Sequence, residues 1–116
     1  ILDKKKSKTI NQNAYLHTIL SLAAIHFALT LEEVKQLMKQ SGAAHFDWIS
    51  YEREYDGVSI YVYKSIATFN STEINLFIEH VRNFAQTHDC YLPTPMEYKQ
   101  EQIGYDNEIE KQKQYL

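Results

Sequence analysis

Tyr51-Glu52-Arg53-Glu54-Tyr55-Asp56-Gly57-Val58-Ser59-Ile60-Tyr61-Val62-Tyr63 is the stretch that decides the fold class. Apolar and polar residues alternate with a period of two on either side of Asp56-Gly57. That dipeptide is a strong signal for a two-residue type I′ turn, because both of its residues tolerate positive φ. A β-hairpin is predicted, with Tyr55 opposite Val58, Arg53 opposite Ile60 and Tyr51 opposite Val62. This register assigns Ile49, Tyr51, Val58, Ile60 and Val62 to one face, expected to be the core side. The other face carries Trp48, Ser50, Glu52 and Glu54 against Ser59, Tyr61, Tyr63 and Ser65. Two strands alone are marginal, so the hairpin needs a helix beneath it, further strands or a second subunit.

Outside the hairpin the period becomes helical. Leu16, Ile19, Leu20, Ala23 and Phe27 predict a helix from Asn11 to Leu29. Tyr15, Leu22, Ile25 and Leu29 lie on its other sides, which makes this helix either central or shared with a partner chain. Ala14, Thr18 and Ser21 form a small-residue row suited to close helix packing. Thr30-Leu31-Glu32-Glu33 is a capping box opening a short second helix to about Gln40, ended by Gly42. After the hairpin, Asn70 or Ser71 caps a third helix whose stripe is Ile74, Phe77, Ile78, Val81, Phe84 and Ala85. The connector Tyr91-Leu92-Pro93-Thr94-Pro95 reads as extended, with Thr94, Pro95 and Glu97 starting a fourth helix.

The expected fold is therefore α+β: a helix pair, a β-hairpin, then amphipathic helices with a helical C-terminal tail. Residues 1–8 form a basic arm, 9–98 a single domain, and 99–116 a charged tail that projects or docks on a partner. With 116 residues, 44% hydrophobic content, nine Tyr, five Phe and one Trp, there is material for one real core. The net charge of −3 argues against a uniformly basic surface. The charge is uneven, however: Lys4, Lys5, Lys6 and Lys8 face only Asp3 at the amino end, whereas residues 65–116 are acidic. The lone Cys90 and the lack of a long apolar run suit a cytoplasmic protein with no membrane span. The opening Ile1-Leu2-Asp3 has no initiator Met and no signal-peptide h-region, which leaves room for sequence upstream.

Most catalytic chemistries find no foothold in the sequence. The five histidines, His17, His26, His45, His80 and His88, show no H-x-x-x-H pair, and Cys90 has no C-x-x-C partner, so no metal is expected. His88-Asp89-Cys90 are consecutive and point apart, a poor arrangement for a nucleophile and its base. With only three glycines there is no Gly-rich phosphate cradle. The reading is a non-enzymatic protein with no catalytic residues and no cofactor.

What remains is Lys8-Thr9-Ile10-Asn11-Gln12-Asn13 at the expected head of the first helix. Thr9 or Asn11 would serve as its cap, but three consecutive amides exceed what a cap requires. A helix amino terminus beside Lys4, Lys5, Lys6 and Lys8 would attract phosphate, and amides can reach base edges, so nucleic-acid contact is one reading. Trp48, Tyr61 and Tyr63 could stack unpaired bases, although Glu52 and Glu54 share their face.

The run Lys8-Thr9-Ile10-Asn11-Gln12-Asn13-Ala14-Tyr15-Leu16 resembles the signature of the phage NinB (Orf) recombination proteins: basic, Ser/Thr, aliphatic, any, Gln-Asn, any, any, Leu. Lys64-Ser65-Ile66-Ala67-Thr68-Phe69-Asn70-Ser71-Thr72-Glu73 resembles that family's Ser/Thr-rich strand end and Glu-headed helix, and Leu92-Pro93-Thr94-Pro95 is similar to the connector of phage-borne relatives. The resemblance covers most of residues 8–98 and matches Thr9, Gln12, Asn13, Ser65 and Glu73. It implies a homodimeric α+β protein in a bacterial host cell that binds single-stranded DNA and helps load a recombinase where host single-strand-binding protein is present, without catalysis. The family's opening strands are missing, and Asn11 replaces a residue that can be acidic. The rival class is a phage adaptor that contacts host replication or recombination proteins without touching DNA.

Overall fold

A computed structural model describes residues 2–99 and 109, with side chains from Gln12 onward. Its described elements are α1 (Leu2–Phe27), α2 (Leu31–Gly42), β1 (Ser50–Tyr55), β2 (Val58–Tyr63) and α3 (Ser71–Thr87). Short 3₁₀ turns, Asp47–Ile49 and Ile66–Thr68, flank the strands. The fold is α+β, as expected. No single helix among the described residues is long and apolar enough to cross a membrane.

Helix α1 is the hub. Tyr15, Leu16, Thr18, Ile19, Leu20, Ser21, Ala23 and Ala24 are all buried, so the helix is covered on several sides, and α2 and α3 both pack against it. Its two apolar sets thus resolve in favour of a central helix. Thr18 and Ser21 are buried as well, and side chains this small let a neighbouring element pack closely. The helix stops at Phe27 because Ala28 takes a left-handed φ of 56°, and Leu29 N–H donates to Ala24 O at 2.9 Å. Helix α2 then leaves at 101° to α1. Its start is the predicted capping box: Glu33 N–H donates to Thr30 Oγ1, and Thr30 N–H to the Glu33 carboxylate.

Helix α3 opens on a second capping box, with Asn70 as the cap and Glu73 reaching back. It buries Ile74, Phe77, Val81 and Ala85 and leaves Ile78 and Phe84 half-buried against the same core. Leu92 and Pro93 are buried in the extended connector. Thr94 and Glu97 then cap a helical turn at 95–99, with Thr94 N–H donating to the Glu97 carboxylate at 2.9 Å. That backbone hydrogen bond, helped by the Tyr91 hydroxyl, holds the Glu97 pKa below its ordinary value. Of the charged tail expected at 99–116, only Lys99 and Ile109 are among the described residues; Ile109 is helical and buried.

The hairpin has the register its turn predicts, Tyr55 with Val58, Arg53 with Ile60 and Tyr51 with Val62. Asp56 and Gly57 both carry positive φ, 52° and 79°. The expected core face is the correction. Only Ile49, at the foot of β1, is buried; Tyr51 is 48% exposed, Tyr55 73%, Val58 59% and Ile60 43%. The hairpin is anchored at its base, where Ile49, Trp48, Tyr63 and Ile66 meet the helical core, and its length stands clear of the helices. Tyr63, which packs on the core, belongs to the face of Glu52 and Tyr61, while Ile49 belongs to the face of Tyr51, so both faces meet the core at the base of the hairpin and both are exposed towards its turn.

Candidate nucleic-acid interface

The amide-rich stretch does not head its helix. Helix α1 begins at Leu2, so Thr9 to Asn13 lie two or more turns inside it, and the backbone N–H groups there are committed to the helix. The reason lies in residues 2–12, which contain neither Pro nor Gly and three consecutive lysines, so nothing interrupts the helix before Thr9 or Asn11 could cap it. Lys4, Lys5, Lys6 and Lys8 are accordingly helical, and their side chains, with that of Thr9, lie outside the described residues.

Gln12 and Asn13 part company. Gln12 Nε2 donates to Asn75 Oδ1 at 2.6 Å, and Ser71 Oγ donates to Gln12 Oε1 at 3.1 Å, so both ends of this amide tie α1 to the first turns of α3. Asn13, one residue on, is exposed and lines a cleft of about 720 Å³. One wall of that cleft is α1, through Asn13, Leu16, His17 and Leu20. The second is α2, through Glu32, Lys35 and Lys39. The third is the exit of the hairpin, Tyr63 and Ser65 to Ala67.

Ser65 reaches this cleft as the cap of a 3₁₀ turn: its Oγ accepts from Ala67 N–H at 3.3 Å and its carbonyl from Thr68 Oγ1 at 2.7 Å. A second hollow of about 340 Å³ shares Glu32, Lys35, Lys39 and Tyr63 and adds Gln36, Tyr61 and Val62. The two together make one groove running from Asn13, past a pair of lysines, to Tyr61, a residue 76% exposed.

The groove is electrostatically mixed. Lys35 pairs with Glu32 at 3.5 Å across one helical turn, while Lys39 is half-buried, and burial together with the Lys35 charge lowers its pKa. A cation stripped of part of its water next to a second cation favours an incoming anion over a vacant site. Neither lysine was singled out from the sequence, because α2 was read only as a short capped helix. Their i, i+4 spacing, which sets them on one face, was the available signal.

Trp48 lies apart from the groove. Its ring stacks on Phe46 and meets the edge of Phe69, both with centroids at 5.1 Å, and Lys64 Nζ lies 6.0 Å from its centroid. Lys64 also pairs with Glu73 at 3.5 Å, joining the hairpin exit to the cap of α3. Glu73 is thus held as a cap and ion-pair partner. Trp48 is an edge of the core, and of the three aromatics only Tyr61 and Tyr63 line the groove.

Two other polar groupings are structural. Arg82 Nη1 donates to the Tyr15 hydroxyl at 2.6 Å and to Pro93 O at 2.8 Å, while that hydroxyl donates to the same carbonyl. Burial raises the Tyr15 pKa against the opposing pull of Arg82. Ser41 Oγ lies 2.8 Å from His80 Nε2 and 3.2 Å from Met38 O, a part-buried contact that ties α2 to α3. Among the described residues no three His, Cys, Asp or Glu side chains are grouped to hold a metal ion, and Cys90 is buried with its thiol pKa raised by that burial. In comparisons with known proteins, no family model, no curated protein and no solved structure matches the chain.

Proposed function

We propose that this chain binds single-stranded DNA in the groove between α1, α2 and the hairpin, as a non-enzymatic accessory of phage recombination that assists recombinase loading. One observation carries the reading. Asn13 and Ser65, far apart in sequence and both within the blocks that resemble NinB proteins, line the same cleft, and Lys35, Lys39, His17 and Tyr63 line it with them.

The chemistry of that lining fits a single strand better than a duplex. Paired lysines neutralise backbone phosphates, an amide such as Asn13 satisfies base edges, and an exposed Tyr61 offers a face to an unstacked base. A duplex offers no free base face for such a ring. Glu32 limits how far the anionic backbone can approach one rim, which directs the strand along the Lys39 side.

A titration of the full chain with a fluorescent oligonucleotide over a range of salt tests this. Replacing Lys35 and Lys39 together by Ala should weaken binding at low salt and flatten the slope of log K against log salt by about 1.4, roughly 0.7 for each phosphate that a lysine no longer neutralises on a single strand. Tyr61→Ala should weaken binding by about 1 to 3 kcal/mol at matched salt. Wild-type protein with no single-strand affinity at low salt would sink the reading and favour the adaptor class.

A further inference from the structure

Between the last turns of α3 and the extended connector lies a hollow of about 510 Å³, within the range of roughly 300 to 1,000 Å³ of small-molecule sites. It shares no lining residue with the groove between α1, α2 and the hairpin, so what it binds is independent of single-strand binding. Helix α3 supplies Arg82, Asn83 and Gln86, and the connector supplies Leu92 and Thr94. Asp89, just past the end of α3 with a left-handed φ of 56°, lines it too. Arg82 has more hydrogen-bonding capacity than the fold uses. Its Nη1 makes both of its hydrogen bonds to described residues, to the Tyr15 hydroxyl and to Pro93 O, which leaves the Nε–Nη2 edge of the planar fork.

The Arg82 side chain is half-buried, and among the described residues no carboxylate pairs with it. Glu97, whose carboxylate feels the Arg82 charge, is committed to Thr94 N–H and the Tyr91 hydroxyl. A guanidinium stripped of part of its water, lining a hollow without a counter-ion, favours an incoming carboxylate whose two oxygens match the edge of its fork. Asp89 supplies the opposite charge. We propose that this hollow binds a free aliphatic α-amino acid, its carboxylate on Arg82, its ammonium toward Asp89 and its side chain against Leu92. The spacing suits such a ligand. From Arg82 to Asp89 the chain advances about two helical turns, on the order of 10 Å. With a hydrogen-bonded contact of about 3 Å at each end, the gap takes two opposite charges a few Å apart, as on one α-carbon. Phosphate would meet the repulsion of Asp89 along with the attraction of Arg82, and an uncharged ligand would use neither. The exposed amides of Asn83 and Gln86 can donate or accept beside the bound carboxylate.

Titration of the isotope-labelled full chain with L-leucine, followed through backbone amide shifts, tests this. The shifts should saturate and centre on Asn83, Gln86 and Leu92. L-leucinamide, which lacks the carboxylate, and N-acetyl-L-leucine, which lacks the ammonium, should each bind at least about tenfold more weakly. Arg82→Lys keeps the charge but loses the fork, and should weaken L-leucine binding at least about tenfold. Asn83 is exposed, so Asn83→Asp leaves the fold intact while setting a carboxylate beside Arg82, and it should weaken binding by a similar factor. Asp89→Asn, which keeps a residue that tolerates positive φ, should bring L-leucine and N-acetyl-L-leucine within about threefold of each other. Shifts that do not saturate with L-leucine, equal affinity for L-leucinamide or N-acetyl-L-leucine, or an affinity that Asn83→Asp leaves unchanged would each overturn the proposal.

Discussion

Helix α1 and the hairpin draw on a similar supply of apolar side chains, yet α1 from Tyr15 to Ala24 is buried on several sides and the hairpin almost nowhere beyond its base. The difference is one of attachment. Helix α1 offers apolar residues at every angle, so α2 and α3 can both use it as a surface. The hairpin meets the core only where the two 3₁₀ turns plug it in, through Ile49 and Trp48 on one side and Tyr63 and Ile66 on the other. Apolar content marks a segment as able to bury surface, but the elements that reach it decide whether the chain's own core is what buries it. Mutations on the two sides of this divide should therefore behave differently.

The largest effect belongs to the helical core. Phe77 is fully buried on α3 and meets Phe69 edge-on at 5.4 Å. Phe77→Ala should cost about 3 to 5 kcal/mol of unfolding free energy in urea titrations, from lost burial plus the cavity left behind. A loss below about 1 kcal/mol would mean that α3 is not packed as described. Next comes Arg82, whose two hydrogen bonds tie α3 to Tyr15 of α1 and to the connector at Pro93. Arg82→Ala should cost about 1.5 to 3 kcal/mol, the range for hydrogen bonds to a charged group, and Tyr15→Phe less, because Arg82 still reaches Pro93 O without the hydroxyl. Equal losses in the two variants would place the energy in the Tyr15 hydroxyl instead.

Features governed by neighbours in sequence were legible from it. The capping boxes of Thr30 with Glu33 and Asn70 with Glu73, the Asp56-Gly57 turn and its register, and the stripe of α3 each follow from a rule spanning a few residues. What depended on distant partners was not. Gln12 is a helix-to-helix tie only because Ser71 and Asn75 come to it from α3, and the cleft at Asn13 exists only because α2 turns away at Ala28 and the hairpin exit closes the third wall. The start of α1 was misplaced for a different reason. Good N-cap residues such as Thr9 and Asn11 also survive inside a helix when no breaker precedes them, so the cap signal lacked the interruption that would have made it decisive.

The smallest effect should come from the exposed face of the hairpin, and its smallness is informative. Val58 is more than half exposed beside the turn, so Val58→Thr keeps the β-branched shape and removes little buried surface from a single chain. The change should shift unfolding free energy in urea titrations by less than about 0.5 kcal/mol. The core variant differs on this point: Phe77→Ala removes a side chain that the helices enclose, so its urea midpoint should fall well below that of Val58→Thr. A Val58→Thr loss above about 1 kcal/mol would mean that the hairpin beside its turn is covered and not open to water.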